Sequence, residues 1–408
     1  MHLVNKSFLL PALCAVAIAH GYTQNDLPEG WASQSGGTTG GKGGTVVTVK
    51  TMSELQTQAK SSGKKIILVE KGTYTGKLSI AADKSILGKA PGVVIQGSVS
   101  ISNTSNIIVR NIAIKGNKCN SYEECKAGDD ALNIGGSHHV WLDHLDISDG
   151  QDGNCDIVNG SDYVTVTWSK FWYSYDKEHR FSNLIASADN VAADKGKLHI
   201  TYAFCWWADR VQQRQPRGRA GKVHVMNNLY TSSAADYACG PGVDIQMLIE
   251  QNVFKNSGNA IQVSDGTPAP AWKTVGNIGT AKNMSSNQGT VFTPPYTLSE
   301  KMAASAVEAK VKPAAGNTMT LGSTGIDVRG AHAYEAPRVV ATPEGWTLRN
   351  PGKSAILFDV VDVSGASLVS GARLGSGNDF RLPASHGMRI VNIREPKNLE
   401  SMVVPARL

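Results

Sequence analysis

A recurring interval between short apolar runs constrains this chain more than any other feature. Stretches rich in Val, Ile, Thr and aromatic residues recur at 92–101, 106–116, 138–148, 162–172, 197–207, 222–230 and 243–254, separated by Gly, Asn, Asp and Ser. The position of Asn228 in HVMNNLY matches Asn252 in LIEQNVF; counted backwards, it falls at Phe204, Lys170, Asp146 and Asn111. The steps from the N-terminus are 35, 24, 34, 24 and 24 residues. A basic period near 24, lengthened twice by about ten residues, predicts a parallel β-helix: each coil adds short strands and stacks on the one before. One coil cannot bury its apolar face alone, so stacking supplies the core. The asparagines are expected to pile up inside turns and bond along the axis. An antiparallel sandwich with even strand spacing is the alternative pattern.

The two lengthened steps are loops leaving the coil. The first contains Cys119 and Cys125, and the second, after Trp172, contains Asp176, Lys177, His179 and Arg180. Loops on a rigid scaffold are where binding groups usually sit. Residues 53–61, SELQTQAKS, have Ser at a cap position and Leu55 and Ala59 four apart, which predicts a short helix closing the N-terminal end of the solenoid. After Glu300 the pattern changes: 302–309 is Ala-rich and predicted helical, and 311–316 closes the main domain. Composition is linker-like from about 317 to 340, and strands alternate again over 356–394, with turn signals at 364–365 and 375–377. The expected organisation is a signal peptide at 1–19, a β-helix domain at 22–317, a linker at 318–340 and a small β-rich module at 341–408.

Lys6 followed by the apolar run 8–19, ending in Ala-Ile-Ala, predicts an export signal and a secreted protein. The run is too short for a membrane span, and no other segment is long and apolar enough. Leu13 is too large for the residue before a lipoprotein cysteine at Cys14. Removal of the signal leaves Cys119, Cys125, Cys155, Cys205 and Cys239, so at least one thiol stays free. Cys119 and Cys125, flanking one polar loop, are the expected disulfide.

Two constellations bear chemistry. RQPRGR at 214–219, followed by Lys222, places Arg214, Arg217, Arg219 and Lys222 within nine residues, with Arg210 just upstream. Cations at this density repel unless an anion sits among them, and planar guanidinium groups suit a carboxylate or a phosphate. Upstream lie Asp129, Asp130, Asp149, Asp152 and Asp156. Asp130 precedes Asp152 and Asp156 by about one coil, so these three converge on one face if the coil reading holds. Grouped carboxylate oxygens suit Ca²⁺ rather than Zn²⁺. The net charge of +6 is compatible with an acidic polymer as ligand. A nucleic-acid surface is not expected, because the basic patch is single and has acidic neighbours.

The motifs that carry a resemblance are GWA at 30–32 with GGTTGG at 36–41, SILG at 85–88, VWLDH at 140–144, DGNCDI at 152–157, SDYVTV at 161–166, RQPRGR at 214–219 and GKVHVMNN at 221–228. In order and spacing the chain resembles the pectate lyases of polysaccharide lyase family one over about residues 27–316. The resemblance implies a right-handed parallel β-helix and a calcium-dependent lyase acting on polygalacturonate. By the same resemblance Asp130, Asp152 and Asp156 match calcium ligands, Arg214 matches the arginine that removes the C5 proton, and Arg219 matches a substrate-holding arginine. Lys177 or Arg180 matches the cation of the loop before Leu184: residue type favours the lysine and spacing the arginine. Asp143 and His144 are read as a buried structural pair. An arginine base must first give up a proton that guanidinium normally keeps.

The competing expectations are a pectin lyase acting on methylated polymer and a noncatalytic pectin-binding β-helix. Three intact aspartates favour pectate and calcium over the first, and their retention with Arg214 opposes the second. A monomer is expected. The C-terminal module weakly resembles small β domains that follow secreted enzymes and serve sorting, surface attachment or polymer binding.

Overall fold

The computed structural model describes residues 21–322, apart from 257 and 265, and in the C-terminal region the segments 338–342, 345–350, 356–362, 367–374, 378–382, 389–395 and 398–404. The expected signal at 1–19, Cys14 and the turn signals at 364–365 and 375–377 lie outside them. The chain divides into two compact units, Met1–Val328 and Arg329–Leu408.

The first unit is a right-handed parallel β-helix. Among the described residues, twenty-three strands share one hydrogen-bonded network, and every pairing within it is parallel. The strands stack in three columns. One column runs through Ser105–Arg110, His138–Asp143, Asp162–Thr167, His199–Ala203 and the second half of Arg217–Met226. A second, of shorter strands, runs through Ala113–Lys115, Asp146–Ser148, Lys170–Trp172, Trp206–Trp207, Leu229–Tyr230, Val253–Phe254 and Ile278–Gly279. The third runs through Leu132–Gly135, Cys155–Val158, Leu184–Ile185 and the start of Arg217–Met226.

Alternation within each strand sends Ile107, Val109, Val140, Leu142, Val164, Val166, Ile200 and Tyr202 inward, all fully buried. Aromatic rings continue the stack along the axis: Phe171 on Trp207 at 5.2 Å, Trp207 on Tyr230 at 4.9 Å and Tyr230 on Phe254 at 4.4 Å. From Ser105–Arg110 onward, each coil leaves the first column through a residue in the left-handed region, among them Asn111, His144, Trp168, Phe204, Asn227 and Gln251. The sharp turn this makes is what lets the coil close in so few residues.

The pairing fixes the repeat as Ala113, Asp146, Lys170, Trp206, Leu229, Val253 and Ile278, in steps of 33, 24, 36, 23, 24 and 25 residues. The period near 24 and the two long excursions are therefore present. Asn228 aligns with Cys205, Ser169, Leu145 and Ile112 and not with Phe204, Lys170, Asp146 and Asn111, so the expected alignment is one residue off at those four coils. The asparagine stack is confined to the last three coils, where Asn228 donates to Asn252 and Asn252 to Asn277 at 3.0 Å each.

Helix Met52–Lys60 begins with a capping box: Glu54 N–H bonds Thr51 and the Glu54 carboxylate accepts from Thr51 N–H. The cap is thus Thr51, not Ser53. Leu55 and Ala59 reach the core. Helix Ala304–Ala314, displaced slightly from the expected 302–309, buries Val307 and Val311 against Met226, Leu229 and Val253 on the outside of the coil. Strand Thr320–Leu321 pairs with Gly21–Tyr22. Among the described residues no helix is long and apolar enough to cross a membrane.

The second unit is antiparallel. Arg338–Thr342, Gly345–Asn350 and Asn378–Arg381 form one sheet; Ser367–Leu374, Ile356–Asp362, Arg389–Glu395 and Asn398–Val404 form another. Leu348, Phe358, Val360, Leu374 and Leu382 make its core.

Candidate active site

The third column of strands positions the acidic and basic groups. Register places Asn133, Asp156, Leu184 and Arg217 in one row across successive coils. Asp156 lies within strand Cys155–Val158 and is buried, and its Oδ1 accepts the backbone N–H of Leu184 at 2.9 Å. Asp130 lies one coil earlier, just before Leu132–Gly135, with Oδ2 accepting from Asn133 at 3.1 Å. Its Oδ1 is buried and has no hydrogen-bond partner among the described residues. A buried carboxylate oxygen left unsatisfied is costly unless something else binds it.

Gly153 shows where that something fits. A methyl group built on it would lie 2.9 Å from Asp130 Oδ1 and 3.2 Å from Asp156 Oδ1. The missing side chain therefore leaves a gap faced by one oxygen of each carboxylate. Asp152 stands at its edge, with Oδ1 3.0 Å from Nε2 of His179. Burial pushes Asp130 up to about 6; Asp152 and Asp129 add to the rise, and Asn133 and Arg214 oppose it. Burial likewise raises Asp156 well above the usual carboxylate range, with Asp130 adding its charge and Leu184 N–H and Arg214 pulling the other way. Two such groups side by side hold their charges together only with a cation between them. Among the described residues, no three acidic, imidazole or thiol groups close into a finished cage. Asp152, turned to His179, is the member that stands apart.

The other two aspartates of the cluster are used elsewhere. Asp129 pairs with Lys77 at 3.2 Å, and Asp149 accepts from the backbone and hydroxyl of Ser174 at 2.7 Å each, which fastens the start of the second excursion.

Arg214 reaches the same place from two coils beyond Asp156. Its backbone is left-handed, with φ +63°, a conformation that a non-glycine residue adopts only under constraint. Asn183 N–H bonds its carbonyl at 2.7 Å, and its guanidinium lies 4.5 Å over the ring of Phe181. Arg214 Nε is buried without a hydrogen-bond partner among the described residues. Its charge is close enough to act on both Asp130 and Asp156. Arg219, on the strand that follows, pairs through Nε with Asp189 at 2.6 Å and donates from Nη1 to Ala186 O at 2.9 Å.

The second excursion separates its two cations. Lys177 turns inward: Nζ donates to Gly150 O at 2.5 Å and Gln151 O at 2.7 Å, beside Asp152. Burial lowers it to about 8, with Asp149 and Asp152 drawing it back up. Arg180, with its side chain largely covered, pairs with the exposed Asp176. Both line an open recess of about 450 Å³ with Asp176, Glu178 and Gln212. The first excursion is closed by the Cys119–Cys125 disulfide, while Cys155, Cys205 and Cys239 are buried thiols.

Asp143 and His144 lie apart from this face. Asp143 Oδ2 accepts from Arg110 Nε at 2.9 Å and contacts His144 Nδ1 at 2.8 Å, while Oδ1 accepts from Thr167 at 2.6 Å. That is the buried pair expected of them.

Four participants escape the sequence reading: Gly153, Asn133, Phe181 and the contact from His179 to Asp152. Gly153 had a visible signal, since it sits between two of the aspartates. The other three depend on which coil lies beside which.

The pectate lyase family model matches residues 7–320. Fold and site together define a polysaccharide lyase built on a parallel β-helix. The chain belongs to the pectate lyase family. Pectate lyase plyB of Emericella nidulans is 36% identical over 239 residues, covering 56% of this chain and 69% of its own. Pectate trisaccharide-lyase of Thermotoga maritima is 34% identical over 219 residues, 51% of this chain and 58% of its own. Among solved structures, the pectate lyase Bsp165PelA from Bacillus sp. N165, in complex with trigalacturonate, superposes with a TM-score of 0.59 at 26% identity, over 71% of this chain and 99% of that one.

Proposed function

We propose that this pectate lyase is a calcium-dependent enzyme that cleaves α-1,4-linked polygalacturonate by β-elimination, with Arg214 as the base. The observation that carries the reading is the gap beside Gly153, faced by the unpartnered Asp130 Oδ1 and by Asp156 and within electrostatic reach of Arg214. The trigalacturonate bound by the Bacillus sp. N165 relative supports the substrate class. Hard carboxylate oxygens in a partly buried, negatively charged gap fit Ca²⁺. Asp130 and Asp156 would hold it, with Asp152 completing the set.

The chemistry asks for a proton to leave a carbon next to a carboxylate, which gathers a second negative charge on that group. Bound calcium supplies positive charge at the substrate carboxylate, where the transition state needs it more than the ground state does. Arg214, in its neutral form, takes the C5 proton. The C5–H electrons become the C4–C5 double bond, and the C4–O bond breaks with its electrons on the glycosidic oxygen, which takes a proton from solvent while Arg214 returns the C5 proton to solvent. No water is consumed, so no hydrolytic carboxylate pair is required. Arg219 and one of the loop cations, Lys177 or Arg180, bind substrate carboxylates. Dense cations along the groove draw in an acidic polymer.

Residues 1–19 are read as an export signal, 318–340 as a linker and 341–408 as a separate module of a secreted monomer. The test is ultraviolet absorbance of unsaturated product on polygalacturonate, with calcium and with a chelator. Absorbance that rises with calcium alone supports the reading. Absorbance indifferent to chelator, or found only on methylated pectin, overturns the calcium-dependent pectate reading in favour of pectin lyase. No absorbance on either polymer leaves a binding protein.

A further inference from the structure

His179 is buried to 2% exposure, yet neither ring nitrogen has a well-directed hydrogen bond among the described residues. Its Nε2 lies 3.0 Å from Asp152 Oδ1, within ion-pair range but off the line of a hydrogen bond. Two aromatic rings hold it there: Phe181 at 4.2 Å and Tyr122 at 5.2 Å, edge-on. Tyr122 belongs to the first excursion, in the helix Tyr122–Lys126 that contains Cys125, so both loops clamp the imidazole. Phe181 also lies beneath Arg214, which makes the column Asp152, His179, Phe181, Arg214 continuous. An imidazole so confined, with its polar atoms unsatisfied, calls for a reason beyond packing.

We propose that His179 is a positioning residue for Asp152: its Nε2, 3.0 Å from one carboxylate oxygen, needs only a small turn of that carboxylate to donate to it, which leaves the other oxygen for the calcium ion. This rests on the calcium reading above. Outer groups that hydrogen-bond a metal-binding carboxylate fix its orientation, and losing one typically weakens metal binding about 10- to 100-fold. The same restraint places Asp152 at the edge of the gap before the cation arrives, so less ordering accompanies binding.

Two substitutions separate this role from filler. Gln can place an amide donor near the position of Nε2, whereas Asn places one nearer Nδ1. Calcium would be titrated calorimetrically into the full chain and into His179→Gln and His179→Asn, with thermal melting in chelator as the check on folding. The expected result is near wild-type affinity for His179→Gln and affinity lower by about 10-fold or more for His179→Asn, with similar melting without calcium. Equal affinity in wild type and both variants overturns the proposal, as does equal weakening in both. If the wild type itself binds no calcium, the calcium reading fails and this inference falls with it. If the wild type binds, and Asp156→Asn does not, any failure belongs to His179 alone.

Discussion

Asn228 donates from its side-chain amide to Oδ1 of Asn252 at 3.0 Å, and its backbone N–H reaches the same oxygen at 2.8 Å. Asn252 in turn donates to Val225 O and Asn277 Oδ1, each at 3.0 Å. One buried amide thus ties together neighbouring coils that share no covalent neighbourhood. Asn252→Ala takes away the acceptor shared by the Asn228 backbone N–H and one side-chain N–H in the interior, while the amide keeps its bond to Tyr202 O. At about 1–3 kcal/mol for each buried group left unsatisfied, the loss should reach about 3 kcal/mol. The urea midpoint should fall with the slope unchanged; a shift under about 0.5 kcal/mol, the ordinary scale of surface substitutions, contradicts the stacking account.

The same amides show what the sequence could and could not disclose. Equivalent residues 24 apart are visible wherever coils have equal length, as from Asn228 to Asn252. A coil of 23 residues between Trp206 and Leu229 already moves the count by one, to Phe204 for Cys205, and the unequal lengths of the two excursions carry it to Lys170 for Ser169, Asp146 for Leu145 and Asn111 for Ile112. A slip of one exchanges inward and outward side chains, so the period survives while the register does not. That Asp130 and Asp156 come to one place is legible because it needs only coil spacing. That Asp149 fastens Ser174, Asp129 meets Lys77 and Phe181 supports Arg214 follows from loop paths, which neither periodicity nor residue type encodes.

Asp143 gives a pH dependence. Burial pushes its pKa up, but His144 and Arg110 and the hydrogen bonds from His144 and Thr167 outweigh this and hold it well below the usual carboxylate range. A depressed folded pKa contributes stability above the unfolded value of about 3.9, and that contribution drains as pH falls towards the folded value. Asp143→Asn should cost about 3 kcal/mol at pH 7, the scale for breaking a buried pair. The gap between wild type and variant should narrow steadily below about pH 4 in denaturant titrations run at several pH values. A gap that stays constant down to pH 2 would show that charge is not what Asp143 contributes.

Gly153→Ala probes the gap without touching any charged residue. The added methyl would come within 2.9 Å of Asp130 Oδ1, so that carboxylate must move. It is the end of a flexible side chain, and the backbone φ of Gly153 is not in the left-handed region, so the fold should tolerate the change. Calcium at 100 times its dissociation constant should stabilise the wild type by about 2.7 kcal/mol. The alanine variant should melt as wild type does in chelator and gain much less from the same calcium. An equal gain in both proteins would place the cation elsewhere.

Arg214 and Arg219 should separate chemistry from binding. Arg214→Lys keeps a positive charge over Phe181 but not the planar guanidine, so the fold and the electrostatics of the groove largely persist while the base is lost or misplaced. General-base contributions run to about 10²–10⁴-fold, and kcat on polygalacturonate should drop by about 10³-fold with KM nearly unchanged. Arg219 is held by Asp189 and Ala186 O, away from the carboxylate gap. Arg219→Ala should raise KM several-fold and leave kcat within about a factor of ten, the pattern of a group that binds ground state and transition state alike. Absorbance assays at saturating and limiting polymer distinguish the two. If Arg219→Ala loses kcat as Arg214→Lys does, the proton transfer has been assigned to the wrong arginine.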